Sequence, residues 1–112
     1  MAIQSWSDGV LLVTLPCEPR LCRELATLND VLSTHGARDI IIDLGHVDIL
    51  SSAGISNLLI LHKLVRDAGR HLVLSNVTMT TRCIFRIAGL LDVFELVPDR
   101  RAALDALNAI RA

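Results

Sequence analysis

The chain has 112 residues, of which 52% are hydrophobic and only 3% aromatic, so we expect one domain with an aliphatic core. Its formal net charge of −1 argues against nucleic-acid binding, which requires a concentrated basic surface. The apolar stretches fall short of the ~20 residues of a spanning helix, so no membrane insertion is expected. The first residues lack the pattern of a signal peptide, and a cytoplasmic protein is predicted.

Hydrophobic periodicity and chain breakers predict nine elements in the order ββαβαβαβα. Two strands, 2–6 and 9–15, flank the turn dipeptide Asp8-Gly9. The remaining elements are helix 20–35, strand 39–44, helix 52–68, strand 71–75, helix 78–89, strand 93–97 and helix 98–110. Strands that alternate with helices need crossover connections. The predicted fold is therefore a single α/β domain, 1–112, with a central, mixed but mostly parallel sheet, an N-terminal hairpin and about four helices.

Helical spacing also predicts which side chains face the core. The expected inward residues are Leu21, Leu25, Leu28 and Leu32 in the first helix, Ile55, Leu58, Leu59, Val65 and Ala68 in the second, and Ile84, Ile87 and Ala88 in the third. Trp6 and Phe94 are assigned to the core or to edge packing, and Phe85 is predicted to be buried rather than to mark an exposed partner patch. The arginine pairs 66/70 and 82/86 are interpreted as solvated helix faces.

Neither the cysteines nor the histidines have the spacing of a functional site. The three cysteines, at 17, 22 and 83, lack Cys-x-x-Cys spacing and are predicted to be reduced thiols. The four histidines are scattered along the chain, so no metal is assigned. There is also no phosphate-cradling glycine loop and no paired-carboxylate or triad pattern. We therefore expect no cofactor and no catalytic residue.

The segment 40–55 carries the most information about function. Its β-branched run leads into a short loop that delivers Ser51 and Ser52 to the start of the predicted helix. The first backbone N–H groups of a helix lack intrahelical partners, and together with the helix dipole they favour a bound or attached phosphate. Serine is equally well suited to capping a helix N-terminus. From the residues alone, both a capping serine and a phosphate site fit.

The chain resembles the STAS domain family, named for sulphate transporters and anti-sigma-factor antagonists, over nearly its whole length. The residues that carry the resemblance are Ile42-Asp43-Leu44, Val47-Asp48-Ile49-Leu50-Ser51-Ser52-Ala53-Gly54-Ile55, Leu72-Val73-Leu74 and Ile87-Ala88-Gly89-Leu90-Leu91-Asp92-Val93-Phe94. The resemblance implies that Ser52 is a phosphoacceptor, which leaves Ser51 as the cap. It also implies a protein that is not an enzyme but the substrate and partner of an ATP-dependent serine kinase, itself the anti-sigma factor, with a phosphatase as resetting partner.

The implied partner surface lies around the start of the second helix. Its members are Ser51, Ala53, Gly54, Ser56 and Asn57, with Glu18 as an acidic residue supplied by the loop after the second strand. Asp43, at the end of its strand, is predicted to hold the serine loop. One departure stands out, because the family usually has Asp where this chain has Ser51.

Two alternatives remain open at this point. The chain could be a non-switching scaffold subunit, either of a signalling complex or of a lipid-transport ATPase assembly, and the absence of Asp at position 51 fits that role. An enzyme or nucleotide binder is the least favoured of the three. Weak self-association is compatible with each of them.

Overall fold

A five-stranded sheet with four helices forms the described part of the chain, residues 2–7 and 9–111, in a computed structural model. The side chains of Trp6, Ser7 and Arg111 lie outside that description, as does Asp8 of the predicted turn. The elements are β1 Ala2–Ser7, β2 Val10–Thr14, α1 Arg20–His35, β3 Asp39–Asp43, α2 Ser52–Asp67, β4 Leu72–Ser75, α3 Met79–Ile87, β5 Glu95–Val97 and α4 Arg100–Arg111. The predicted element order and α/β fold class are confirmed.

The strands lie in the sheet in chain order, β1-β2-β3-β4-β5. The first pair is antiparallel, and Gly9 adopts the positive φ of 78° that its turn requires. The other pairs are parallel, with Val13 beside Ile42 and Ile42 beside Leu74. The carboxyl ends of β2, β3, β4 and β5 therefore meet at one edge of the sheet.

Two apolar layers cover the two faces of this sheet. Strand residues such as Ile40 and Ile42 pack with the leucines of α1 and α2 and with Phe85 of α3. On the opposite face, Ile41 packs against Ala103 and Leu107 of α4, as do Val10, Leu12 and Val73. Every residue of β3 is buried, because helices cover it from both sides. Among the described helices, none is long and apolar enough to span a membrane.

The predicted core faces of α2 and α3 are partly wrong. In α2 the buried residues are Gly54, Leu58, Leu61 and Val65, whereas Leu59 and Ala68 are exposed. In α3 the buried residues are Thr81 and Phe85, while Ala88 is exposed and Ile87 is 87% exposed. A helix turns about 100° per residue, so burial of Phe85 directs Ile87 to the far side. Phe94 is also buried, and its ring stacks on that of Phe85 at 5.5 Å between centroids.

Candidate functional site

The chain segments that follow the parallel strands gather at the carboxyl edge of the sheet. The loop after β2 contains Glu18, and the loop after β3 contains Ser51 and the first turn of α2. Both loops lead into neighbouring helices, because α1 and α2 pack side by side over the same sheet face. Glu18 and Ser51, which are 33 positions apart in the chain, are therefore hydrogen-bonded to each other.

Ser51 is the N-cap of α2. Its backbone is extended, with φ −72° and ψ 163°, and its Oγ accepts a hydrogen bond from the Gly54 N–H at 3.0 Å. The Ser51 carbonyl accepts the first intrahelical bond, from the Ile55 N–H at 2.9 Å. This is the geometry that gives serine its preference for helix starts. The assignment of Ser51 as the capping serine is thus confirmed.

Glu18 links the starts of α1 and α2. Its Oε2 accepts hydrogen bonds from the Ser51 N–H, at 2.9 Å, and from the Ser51 hydroxyl. Its Oε1 accepts a bond from the Cys22 N–H in the first turn of α1, at 3.2 Å. A single half-buried carboxylate therefore lies at two helix N-termini, where the helix dipoles favour a negative charge. These hydrogen bonds commit the Glu18 carboxylate to the starts of the two helices.

Gly54 is buried against the Glu18 carboxylate. A Cβ at this position would lie 2.7 Å from Glu18 Oε2, 3.0 Å from Leu50 Cδ1 and 3.1 Å from Leu21 Cδ2. These distances are shorter than normal contacts, so any side chain here would displace Glu18 or the two leucines. The absence of a Cβ therefore lets the Glu18 carboxylate and the two leucine side chains approach the backbone of Gly54 closely.

Ser52, the predicted phosphoacceptor, lies beside this network but outside it. It is the first residue of α2 and is exposed, and its hydroxyl makes no hydrogen bond to the described residues. The backbone N–H groups of Ser52 and Ala53 likewise have no acceptor within the described part of the chain. Of the two adjacent serines, Ser51 has its hydroxyl donating and accepting internally, whereas Ser52 has a free hydroxyl at a helix start.

The other predicted partner residues divide into exposed and internal ones. Ala53 and Ser56 are exposed beside Ser52 on the outer side of α2. Asn57 is half-buried, and its Nδ2 donates to the Ala53 carbonyl at 3.1 Å and to Cys22 Sγ at 3.3 Å. Its backbone carbonyl accepts from Asn29 Nδ2 at 3.0 Å. Asn57 therefore fastens α2 to α1, and Ser52, Ala53 and Ser56 form the exposed part of the predicted set.

Comparison with known proteins gives this arrangement a family context. The chain matches the STAS domain family over residues 22–103. The chain belongs to the STAS domain family. This STAS domain is 37% identical over 73 residues to BtrV of Bordetella bronchiseptica, which is named as an anti-sigma factor antagonist. That alignment spans 65% of the present chain and 63% of BtrV.

Solved structures share the fold of this STAS domain. An anti-sigma-factor antagonist (STAS) domain protein from Planctomyces limnophilus has a TM-score of 0.80 at 19% identity, with 95% of this chain and 97% of that one covered. The phosphorylated form of the Bacillus cell-fate determinant SpoIIAA has a TM-score of 0.71 at 15% identity, with 94% and 96% covered. At such identities the likeness concerns the fold alone.

In this STAS domain Asp43 holds the beginning of the serine loop rather than the serines themselves. Its Oδ1 accepts from the Gly45 N–H at 2.8 Å, and its Oδ2 lies 3.3 Å from Nε of Arg100 in α4. The Asp43 side chain is 7% exposed and that of Arg100 49%. Asp43 thus joins the loop to the helix on the opposite face of the sheet.

We expect Arg100→Ala to lower the free energy of unfolding by less than about 1 kcal/mol, because half-exposed ion pairs contribute little. Asp43→Ala should cost more, about 1–2 kcal/mol, since it also leaves the Gly45 N–H without an acceptor. Urea unfolding of both variants measures the difference. Equal losses for the two variants would contradict this division of roles.

Sequence reasoning did not select Ile49 for the partner surface. Ile49 is 68% exposed, and with Asp48, Glu18 and Cys17 it lines a hollow of about 310 Å³. Ile49 is an apolar residue within a polar loop, which could have marked it as a contact residue. The adjacent Leu50 has the same feature but is buried, so this feature does not distinguish the two residues. In the described part of the chain no group of three or more potential ligands is arranged to hold a metal, and the three cysteines are free thiols.

Proposed function

We propose that this STAS domain is a bacterial anti-sigma-factor antagonist that binds a partner serine kinase and is switched by phosphorylation of Ser52. The partner kinase is itself the anti-sigma factor, and a phosphatase returns the domain to its binding form. The observation that carries the proposal is the free, exposed Ser52 hydroxyl at the start of α2. The family membership and the named relative BtrV support the class of function.

The proposed transfer needs groups that only the partner supplies. The Ser52 Oγ forms a bond to the γ-phosphorus of ATP while the bond from that phosphorus to the β–γ bridging oxygen breaks. ADP leaves with the bonding electron pair, and the hydroxyl proton passes to a base of the kinase. ATP, Mg²⁺ and this base belong to the kinase, so the domain acts as substrate and not as enzyme. ATP as phosphoryl donor fits action in the cytoplasm.

The helix start accounts for the effect of the modification in this proposal. A phosphate on Ser52 adds roughly −1.5 to −2 charges beside the two open amides of α2, which stabilise it by about 0.3–1 kcal/mol through the dipole. The free protein therefore tolerates the phosphate without refolding. A partner that packs on Ser52, Ala53 and Ser56 has to bury that charge, and the binding equilibrium shifts toward dissociation.

Mass spectrometry of protein from its native cells tests the proposal. The expected result is a mass increase of one phosphoryl group that maps to Ser52 in part of the population, under at least one growth condition. An unmodified mass in exponential growth, stationary phase and stress would overturn the switch. The measurement can be made before the kinase is identified.

The second candidate is the non-switching scaffold, favoured by one observation, the serine at position 51 where the family usually carries Asp. The Glu18 carboxylate reduces the weight of that observation, because it supplies a negative charge at the same helix start from another loop. The scaffold hypothesis expects a stable complex with partners and no phosphorylated form. The native-cell measurement therefore separates the two candidates.

A further inference from the structure

We propose that Glu18 is a positioning residue that directs phosphorylation to Ser52 by keeping the adjacent Ser51 hydroxyl occupied. The inference rests on the proposed function and adds a specificity determinant to it. Ser51 and Ser52 are adjacent at the start of α2, so a kinase that binds this segment has two hydroxyl groups near its active site. The choice between them has to be made by the local structure.

The hydrogen bonds of Ser51 make it a poor acceptor. Its hydroxyl proton is donated to Glu18 Oε2, and its oxygen accepts from the Gly54 N–H at 3.0 Å. A carboxylate beside a serine can serve as a base in other proteins, but here the oxygen is also committed to the cap. Transfer to Ser51 would remove the hydroxyl proton and with it the hydrogen bond to Glu18 Oε2.

The charge of Glu18 disfavours a phosphate on Ser51 as well. Such a phosphate would carry about −1.5 to −2 charges and would lie within bonding distance of the Glu18 carboxylate, in a half-buried location. The carboxylate cannot move away easily, because it also accepts from the Ser51 N–H at 2.9 Å and the Cys22 N–H at 3.2 Å. Ser52 has neither constraint, since its hydroxyl is exposed and unbonded within the described chain.

The test is the distribution of phosphate between the two serines in native cells that carry chromosomal variants. In the unaltered protein, Ser52 should hold nearly all of the phosphate. In Glu18→Ala the share of phosphate on Ser51 should rise about tenfold or more. The variant removes a hydrogen bond between the Ser51 hydroxyl and a charged group, and such bonds are stronger than those between neutral groups. Glu18→Gln should give an intermediate share, since the glutamine amide keeps one of the two accepting oxygens but carries no charge.

Asp48→Ala is the matched control. It removes one carboxylate from the hollow that Glu18 also lines, and the exposed Asp48 side chain has no hydrogen bond within the described residues. The phosphate should remain on Ser52 in this variant. Ser51→Ala should also keep its phosphate on Ser52, and in combination with Glu18→Ala it should restore single-site labelling. Circular dichroism of the purified variants monitors the fold, and Glu18→Gln replaces Glu18→Ala if the latter does not fold.

The outcomes separate this inference from the function on which it rests. Phosphate on Ser52 in the unaltered protein, with no Ser51 phosphate in either Glu18 variant, would overturn the role of Glu18 and leave the switch intact. The absence of phosphate from both serines in the unaltered protein would overturn both. A redistribution equally large in Asp48→Ala would assign the effect to general charge and reject Glu18 as the determinant. A merely structural role for Glu18 would change the amount of phosphate, not its position.

Discussion

Ser52→Asp is expected to weaken binding to the partner kinase by a factor of about 10² to 10³, because an unpaired carboxylate buried in an interface costs several kcal/mol. Ser52→Ala should bind within about threefold of the unaltered protein, since the Ser52 hydroxyl has no partner inside the described chain. Isothermal titration with the purified kinase measures both affinities. An aspartate variant that binds as tightly as the alanine variant would contradict the electrostatic switch.

The loss of binding in Ser52→Asp should not come from unfolding. A carboxylate at the first position of α2 faces the open amides of Ser52 and Ala53, which should raise the free energy of unfolding by about 0.3–1 kcal/mol. Thr80→Asp is a suitable control, because Thr80 is an exposed residue in the first turn of α3. It makes the same chemical class of change at another helix start and should leave kinase affinity unchanged.

Glu18→Ala is expected to lower the free energy of unfolding by about 1–3 kcal/mol. The substitution leaves the half-buried Ser51 and Cys22 N–H groups without an acceptor. A buried N–H group that has lost its acceptor retains the free-energy cost of its removal from water. Asp30→Ala, which removes an exposed carboxylate from α1, should change stability by no more than about 0.5 kcal/mol. Urea unfolding monitored by circular dichroism compares the two, and a similar small loss for both would reject the helix-linking role of Glu18.

Gly54→Ala should also destabilise the protein, although alanine is ordinarily the better helix residue by about 1 kcal/mol. The new Cβ would approach Glu18 Oε2 to 2.7 Å, and overpacking typically costs about 1–3 kcal/mol. In the Glu18→Ala background this contact is gone, so the second substitution should cost at least about 0.5 kcal/mol less. If the loss of unfolding free energy in the double variant equals the sum of the two single losses, the Glu18 side chain is not what makes a Cβ at Gly54 unfavourable.

Much of the architecture could be predicted from local patterns. The start and end of α1, at Arg20 and His35, follow from leucines at helical spacing and from Gly36 after the last turn. The start of α2 at Ser52 follows from the serine pair before an apolar-periodic segment. These signals are local, because capping and periodicity act over three or four residues.

Predictions failed where the outcome depended on contacts between elements. The outward direction of Ile87 depends on α3 turning Phe85 toward the sheet, where Phe94 stacks on it. The strand predicted over 93–97 is shortened to Glu95–Val97, with Phe94 used for packing instead. When a helix has apolar residues on more than one face, its sequence does not show which face a neighbouring element will cover.

The α/β element order, the aliphatic core and the two serines at a helix start could all be predicted from the sequence. Periodicity, composition and capping depend on residue types and on residues close together in the chain. The difference between those two serines depends on contacts between distant parts of the chain. Parallel pairing of β2 with β3 brings the loop that carries Glu18 to the first turn of α2 across 33 positions, and the Glu18 carboxylate engages Ser51 there. Ser52, the next residue, has an exposed hydroxyl with no such contact in the described part of the chain.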